Sequence, residues 1–129
     1  MIYETQADLD AALAYWQKVL RLQDWTIKAR IVTRKEMPDY WFGWSQVQNN
    51  LKTCFIRLIH PEHRDHEDLA PENELDHEQS LVHELLHAHF HNTRPEDGKS
   101  LAYELWEQTI DTLATAFVNL KRSGLQPTT

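Results

Sequence analysis

The pentapeptide His83-Glu84-Leu85-Leu86-His87 holds the side chains best spaced for chemistry. On a helix, residues four apart lie almost above one another, so the two imidazoles share a face. From one turn, two ring nitrogens can ligate a single Zn²⁺. Glu84 then stands where a carboxylate can take a proton from water polarised by the ion. The pattern by itself is weak: with 8 histidines and 11 glutamates among 129 residues, a chance H-E-x-x-H arises at roughly 4%.

A catalytic zinc commonly takes three protein ligands and keeps one position open. His91 is a poor third ligand, because eight residues on a straight helix separate it from His83 by about 80° of rotation and about 12 Å of rise. His89 faces another side of the helix from His87. A metzincin needs Gly three residues and His six residues after the second histidine, but Phe90 and Thr93 stand there. Glu107 remains, with Asp111 four residues on and on the same helical face. A helix returning antiparallel after a short loop can bring both beside His83 and His87. Glu107 would be the third ligand, and Asp111 would accept the free ring N–H of a ligating histidine. Glu104 is an alternative ligand, but Gln108 occupies the place of its supporting acid. A solvated helix face is the plain alternative for Glu107 and Asp111.

H-E-x-x-H followed by E-x-x-x-D on a second helix resembles the gluzincins, the thermolysin-type zinc peptidases. The resemblance covers residues 83–111. It implies His83, His87 and Glu107 as zinc ligands, Glu84 as the catalytic glutamate and Asp111 as the acid orienting the first histidine. The order of elements is also similar to that of small zincins, including SprT-like and ImmA/IrrE-like proteins, some of them phage-encoded. It implies an antiparallel edge strand beside the active-site helix, along which an extended peptide or protein substrate pairs. By that resemblance Tyr40 to Gln48 is the candidate edge, and Trp41, Phe42 and Trp44 would shape side-chain pockets. The chain departs from the larger enzymes in lacking their C-terminal subdomain and an assigned oxyanion-stabilising His or Tyr. Tyr103, one turn before Glu107, and His91 are the residues that could take that role, with no motif assigning it to them.

The elements that must position these groups are legible from periodicity. Thr5 and Asp8 open a helix to about Arg21, with Leu9, Leu13, Trp16 and Leu20 at helical spacing. Trp25 to Thr33 alternates as a half-buried strand. A second strand ends at Gln48, Asn49-Asn50 suits a tight hairpin, and Thr53 to His60 is a third strand. The stretch from His60 to Asp76 has seven acids, two prolines and His60, His63 and His66. It reads as a solvated loop, without the compact ligand spacing of a second metal site. His77 to about Asn92 is the second helix, with Leu81, Val82, Leu85 and Leu86 as its apolar stripe. Ser100 caps a third helix to about Ser123, with Gly124 at its C-terminal cap and Leu101, Leu105, Leu113, Phe117 and Leu120 as its core stripe. The expectation is an α+β, zincin-like domain over residues 1–129. Its small mixed, mainly antiparallel three-stranded sheet would pack on the N-terminal, H-E-x-x-H and ligand helices.

Composition narrows the setting. The chain is 41% hydrophobic with five tryptophans, as expected of a folded globule. A net charge of −7 opposes direct nucleic-acid binding, although it leaves room for a local basic patch. One cysteine, no basic-then-apolar leader and no apolar run of about 18 residues point to a cytoplasmic protein without a membrane span. The expected activity is zinc-dependent peptide hydrolysis. A zinc-holding regulatory or interaction module is the alternative, and a DNA-associated protease of the SprT-like kind is a third reading.

Overall fold

The computed structural model describes residues 1–37, 41–63 and 75–124. It shows an α+β arrangement in which three helices accompany a mixed three-stranded sheet. Helix α1, Gln6–Val19, starts at a full capping box in which Thr5 accepts from the Asp8 amide and the Asp8 carboxylate accepts from the Thr5 amide. Strands β1 (Thr26–Val32), β2 (Gly43–Gln48) and β3 (Thr53–Ile59) follow, then α2 (His77–Phe90) and α3 (Leu101–Arg122). Among the described residues, no helix is long and apolar enough to cross a membrane.

The sheet order is β1-β3-β2, with β1 parallel and β2 antiparallel to β3. Strand β3 lies in the middle; Cys54, Ile56 and Leu58 alternate onto one buried face and Ile59 is buried at its end, whereas Phe55 on the other face is 48% exposed. Of these, Cys54, Ile56 and Leu58 join the main core with Leu9, Trp16, Leu81, Leu85 and Ile110. Ile59 belongs to a second cluster with Val32, Met37 and Leu75. Burial, with a smaller contribution from the Glu84 charge, pushes the Cys54 thiol up to about 12. The native protein should therefore leave Cys54 unmodified by a thiol reagent at pH 8 and expose it only on unfolding, as followed by thiol titration with and without denaturant.

Several sequence expectations are corrected. The strand expected over Tyr40 to Gln48 begins at Gly43, and Tyr40 lies outside the described residues. The β2–β3 connection is no two-residue Asn-Asn hairpin. A 3₁₀ turn spans Asn49–Leu51, and the left-handed residue is Lys52, at φ 49°. The Lys52 ammonium is held 2.6 Å from the Asp24 carboxylate, and its carbonyl accepts from Thr26 N–H at 2.9 Å, so both side chain and backbone are anchored there.

The third helix is the larger correction. Leu101, Leu105 and Leu120 are 69%, 52% and 40% exposed, whereas Ile110, Ala114 and Val118 are buried. Leu113 and Phe117 pack only partly against the core. The line facing α2 runs through Glu107, Asp111, Ala114 and Val118, spaced four, three and four residues. The two carboxylates meet α2 histidines, and Ala114 and Val118 are buried in the main core. Polar partners as well as apolar volume thus fix the rotation of α3.

Candidate functional site

Asp76 caps α2 by accepting from the Gln79 amide at 3.1 Å. The helix contacts the sheet, α1 and α3, so its apolar residues leave little face for polar side chains. His83 and His87 emerge where α2 meets α3, with rings 5.2 Å apart. Their Nε2 atoms lie 3.2 Å and 3.1 Å from the two oxygens of Glu107. On the far side of His83, Nδ1–H donates to Asp111 Oδ1 at 3.1 Å. The same Asp111 oxygen accepts from Gln79 Nε2 at 3.3 Å, and Gln79 also donates to Thr115 Oγ1 at 3.0 Å. The ring orientation is therefore set by an acid that is itself held. With Nδ1 engaged, Nε2 of His83 is left to face a ligand.

Glu84 points to the sheet. It is 8% exposed and accepts from Ser45 Oγ of β2 at 2.8 Å. Gly43 packs closely beside it: a Cβ there would be tight against Leu58 Cδ2 and Ser80 Cβ, both at 3.3 Å, and in ordinary contact with Glu84 Cγ at 3.5 Å. Donor atoms of His83, Glu84 and His87 all lie within 4.8 Å of one another, a group that could hold a metal ion. Glu107 adds a carboxylate within 3.2 Å of both imidazoles. Two imidazoles with one or two carboxylates suit a borderline divalent ion such as zinc.

The electrostatics follow from these contacts. Burial disfavours a charged His83 ring, but hydrogen bonding to Glu107, the Glu84 charge and Asp111 outweigh it and hold the ring up at about 9. Burial likewise raises Glu107, and the two histidines overcome it and pull the carboxyl down to about 2. For Glu84 burial wins: its carboxyl is raised despite His83, His87 and Ser45. In the metal-free protein the His83 contribution to stability is complete below the ordinary histidine pKa and is lost as pH rises through about 9. The Glu107 contribution is complete above the ordinary carboxyl pKa and is lost as pH falls through about 2. A metal at His83 must displace a proton. Zinc affinity should therefore rise from pH 6.5 and level off near 9, with about one proton released per ion at pH 7.5. Calorimetry in buffers of different ionisation enthalpy measures that proton.

The site opens on a groove of about 640 Å³ between β2 on one side and α3 with the turn after α2 on the other. Trp41 and Trp44 line it, as do His91 and Tyr103. Phe42 does not: expected at the groove, it packs instead against the cluster of Val32, Met37, Ile59 and Leu75. Its backbone carbonyl accepts from Ile59 N–H, which ties it to β3 just before β2 begins. His89 turns away and bonds the Leu20 carbonyl at the end of α1. His60 and His63 accept backbone amides of Glu62 and Arg34, and His66 lies outside the described residues.

Sequence reasoning missed Ser45, Gln79 and Trp106. Strand alternation puts Gly43, Ser45 and Val47 on one face, so a lone hydroxyl facing α2 was a readable signal. Trp106 meets the His87 ring edge-on at 4.9 Å and donates to the Phe90 carbonyl at 3.2 Å. Nothing in its spacing announces that role. No family of known proteins, no curated protein and no solved structure matches this chain.

Proposed function

We propose that the chain is a zinc-dependent peptidase of minimal zincin type, with His83, His87 and Glu107 as ligands and Glu84 as general base. The observation that carries this reading is the convergence of both Nε2 atoms on one carboxylate, at 3.2 Å and 3.1 Å, while Asp111 holds the remaining nitrogen of His83. A solvated helix face needs no such arrangement.

When bound, zinc supplies a Lewis acid that acidifies water and polarises a carbonyl. The chain does the rest. Glu84, raised by burial and aimed by Ser45, takes the proton from the attacking water and passes it to the leaving amine. Strand β2 pairs only with β3, so its other edge is open to main-chain pairing with an extended peptide among the described residues. Trp41 and Trp44 stand beside that edge and would shape the side-chain pockets.

Two substitutions test the ligand set. Asp111→Ala should weaken zinc by about 10–100-fold, because His83 loses its orienting partner. Glu107→Ala should weaken it further, because a ligand is gone. Competition with a chromophoric chelator measures both, and unchanged affinity in Glu107→Ala would remove the third ligand. One observation favours a different reading: Glu84 lies close enough to both histidines to serve as a fourth ligand, closing the site as in a structural zinc module. A hydroxamate that binds zinc-loaded protein stoichiometrically requires an open position and decides against that module.

A further inference from the structure

Among the described residues, Arg94 is the one Lys or Arg lining the metal groove. The other groove walls are aromatic or neutral apart from the histidines and the two glutamates already committed at the centre. Four cations away from the groove do have carboxylate partners: Arg30 with Glu36, Lys52 with Asp24, and Lys121 and Arg122 with Glu78. Arg94 has no carboxylate within ion-pair reach among the described residues, and its guanidinium lies 5.7 Å from the Tyr103 ring centre. That ring also lines the groove, so the cation and the ring it lies over belong to the same wall.

Its base is anchored as well. The 3₁₀ turn His91–Thr93 places Arg94 at its end, where the Arg94 amide donates to the His91 carbonyl. Trp106 fastens that turn to α3 by donating to the Phe90 carbonyl and to Thr93 Oγ1, at 3.2 Å and 3.3 Å. Asn49 Nδ2 donates to Asn92 Oδ1 at 2.8 Å and so ties the end of β2 to the same turn. The walls of the groove are thus joined on the side that carries Arg94.

We propose that Arg94 forms an anion subsite that selects peptides presenting a carboxylate to the groove. This rests on the peptidase reading. The carboxylate could be an Asp or Glu side chain or the peptide's own C-terminus, since a guanidinium fork donates equally well to both. At net charge −7 the protein offers acidic peptides no long-range attraction. The preference is therefore local and is read in KM, as expected for an interaction made equally with substrate and transition state.

The test uses zinc-loaded protein and four internally quenched peptides on one scaffold. One is neutral and amidated. One carries Glu on the N-terminal side of the scissile bond, one carries Glu on the C-terminal side, and one is neutral with a free C-terminus. The expected result is about 5–10-fold higher kcat/KM for at least one anionic peptide over the neutral one, the scale of a single charge-assisted hydrogen bond in a half-open groove. Which peptide gains identifies the source of the carboxylate. Arg94→Glu should bring that ratio to one or below, and Arg94→Lys should keep part of it. Equal rates on all four peptides overturn the subsite and leave the peptidase intact. If no peptide is cleaved, the peptidase reading fails by itself. Fluorescence anisotropy of the same peptides, labelled, on zinc-loaded Glu84→Gln protein then decides the subsite: tighter binding of an anionic peptide supports it, and equal binding overturns it.

Discussion

Glu84→Gln is expected to lower peptide hydrolysis by about 10²–10⁴-fold, the usual contribution of a positioned general base, while zinc stoichiometry stays at that of the parent. Glutamine matches the shape of the carboxylate and still offers Oε1 to the Ser45 hydroxyl, which lies 2.8 Å away in the parent. It cannot take a proton from water. The fold should tolerate the change, because a carboxylate only 8% exposed is replaced by a neutral group in the same hydrogen bond. Single-turnover cleavage and metal analysis on the same preparation give both numbers. A variant that cleaves as fast as the parent means that the proton goes elsewhere. A variant that loses zinc means that Glu84 is itself a ligand, and the closed-site reading gains.

The largest effect on stability is expected at the other end of α2. Glu78 is 1% exposed and accepts from Trp16 Nε1 of α1 at 3.1 Å. It is also paired with Lys121 and with Arg122, the latter at 3.3 Å. Arg122 in turn reaches Asp76, the cap of α2, at 2.9 Å. One buried carboxylate therefore joins all three helices. The double substitution Lys121→Ala, Arg122→Ala strands that anion and should cost about 3–5 kcal/mol in urea unfolding. Glu78→Gln should cost less, because the two cations are 30% and 41% exposed and can turn to water. Stability within about 1 kcal/mol of the parent for the double variant would show that the two cations do not hold this carboxylate in place.

The helices and strands were largely legible because each follows from neighbouring residues. Thr5 with Asp8 and Ser100 with the Tyr103 amide are local caps, and the structure places them at the starts of α1 and α3. Turn chemistry was read less well. Asn49-Asn50 suited a hairpin, but the connection takes a longer 3₁₀ turn, with Lys52 rather than Asn in the left-handed conformation and fixed by distant Asp24. The aromatic run near residue 42 carried no signal for which ring faces the groove. Phe42 is drawn to a second core made by Val32, Met37, Ile59 and Leu75, which only the fold brings together.

Sequence alone determined that His83 and His87 share a helical face with Glu84 between them, and that Glu107 and Asp111 share another. Both follow from the 3.6-residue turn and need no knowledge of the rest of the chain. Only the tertiary structure decided that these two faces meet, with 3.1–3.2 Å between imidazole and carboxylate. It also decided that Leu101, Leu105 and Leu120 are left outside in doing so. Helical periodicity gives the stripes on a cylinder but not the rotation of the cylinder. For α3 that rotation is set by pairing with α2 histidines, by burial of Ile110, Ala114 and Val118 and by the cations at its end that hold Glu78. Ser45 reached Glu84 by the same kind of long-range choice, since only the packing of β2 against α2 brings a strand hydroxyl to a helix carboxylate.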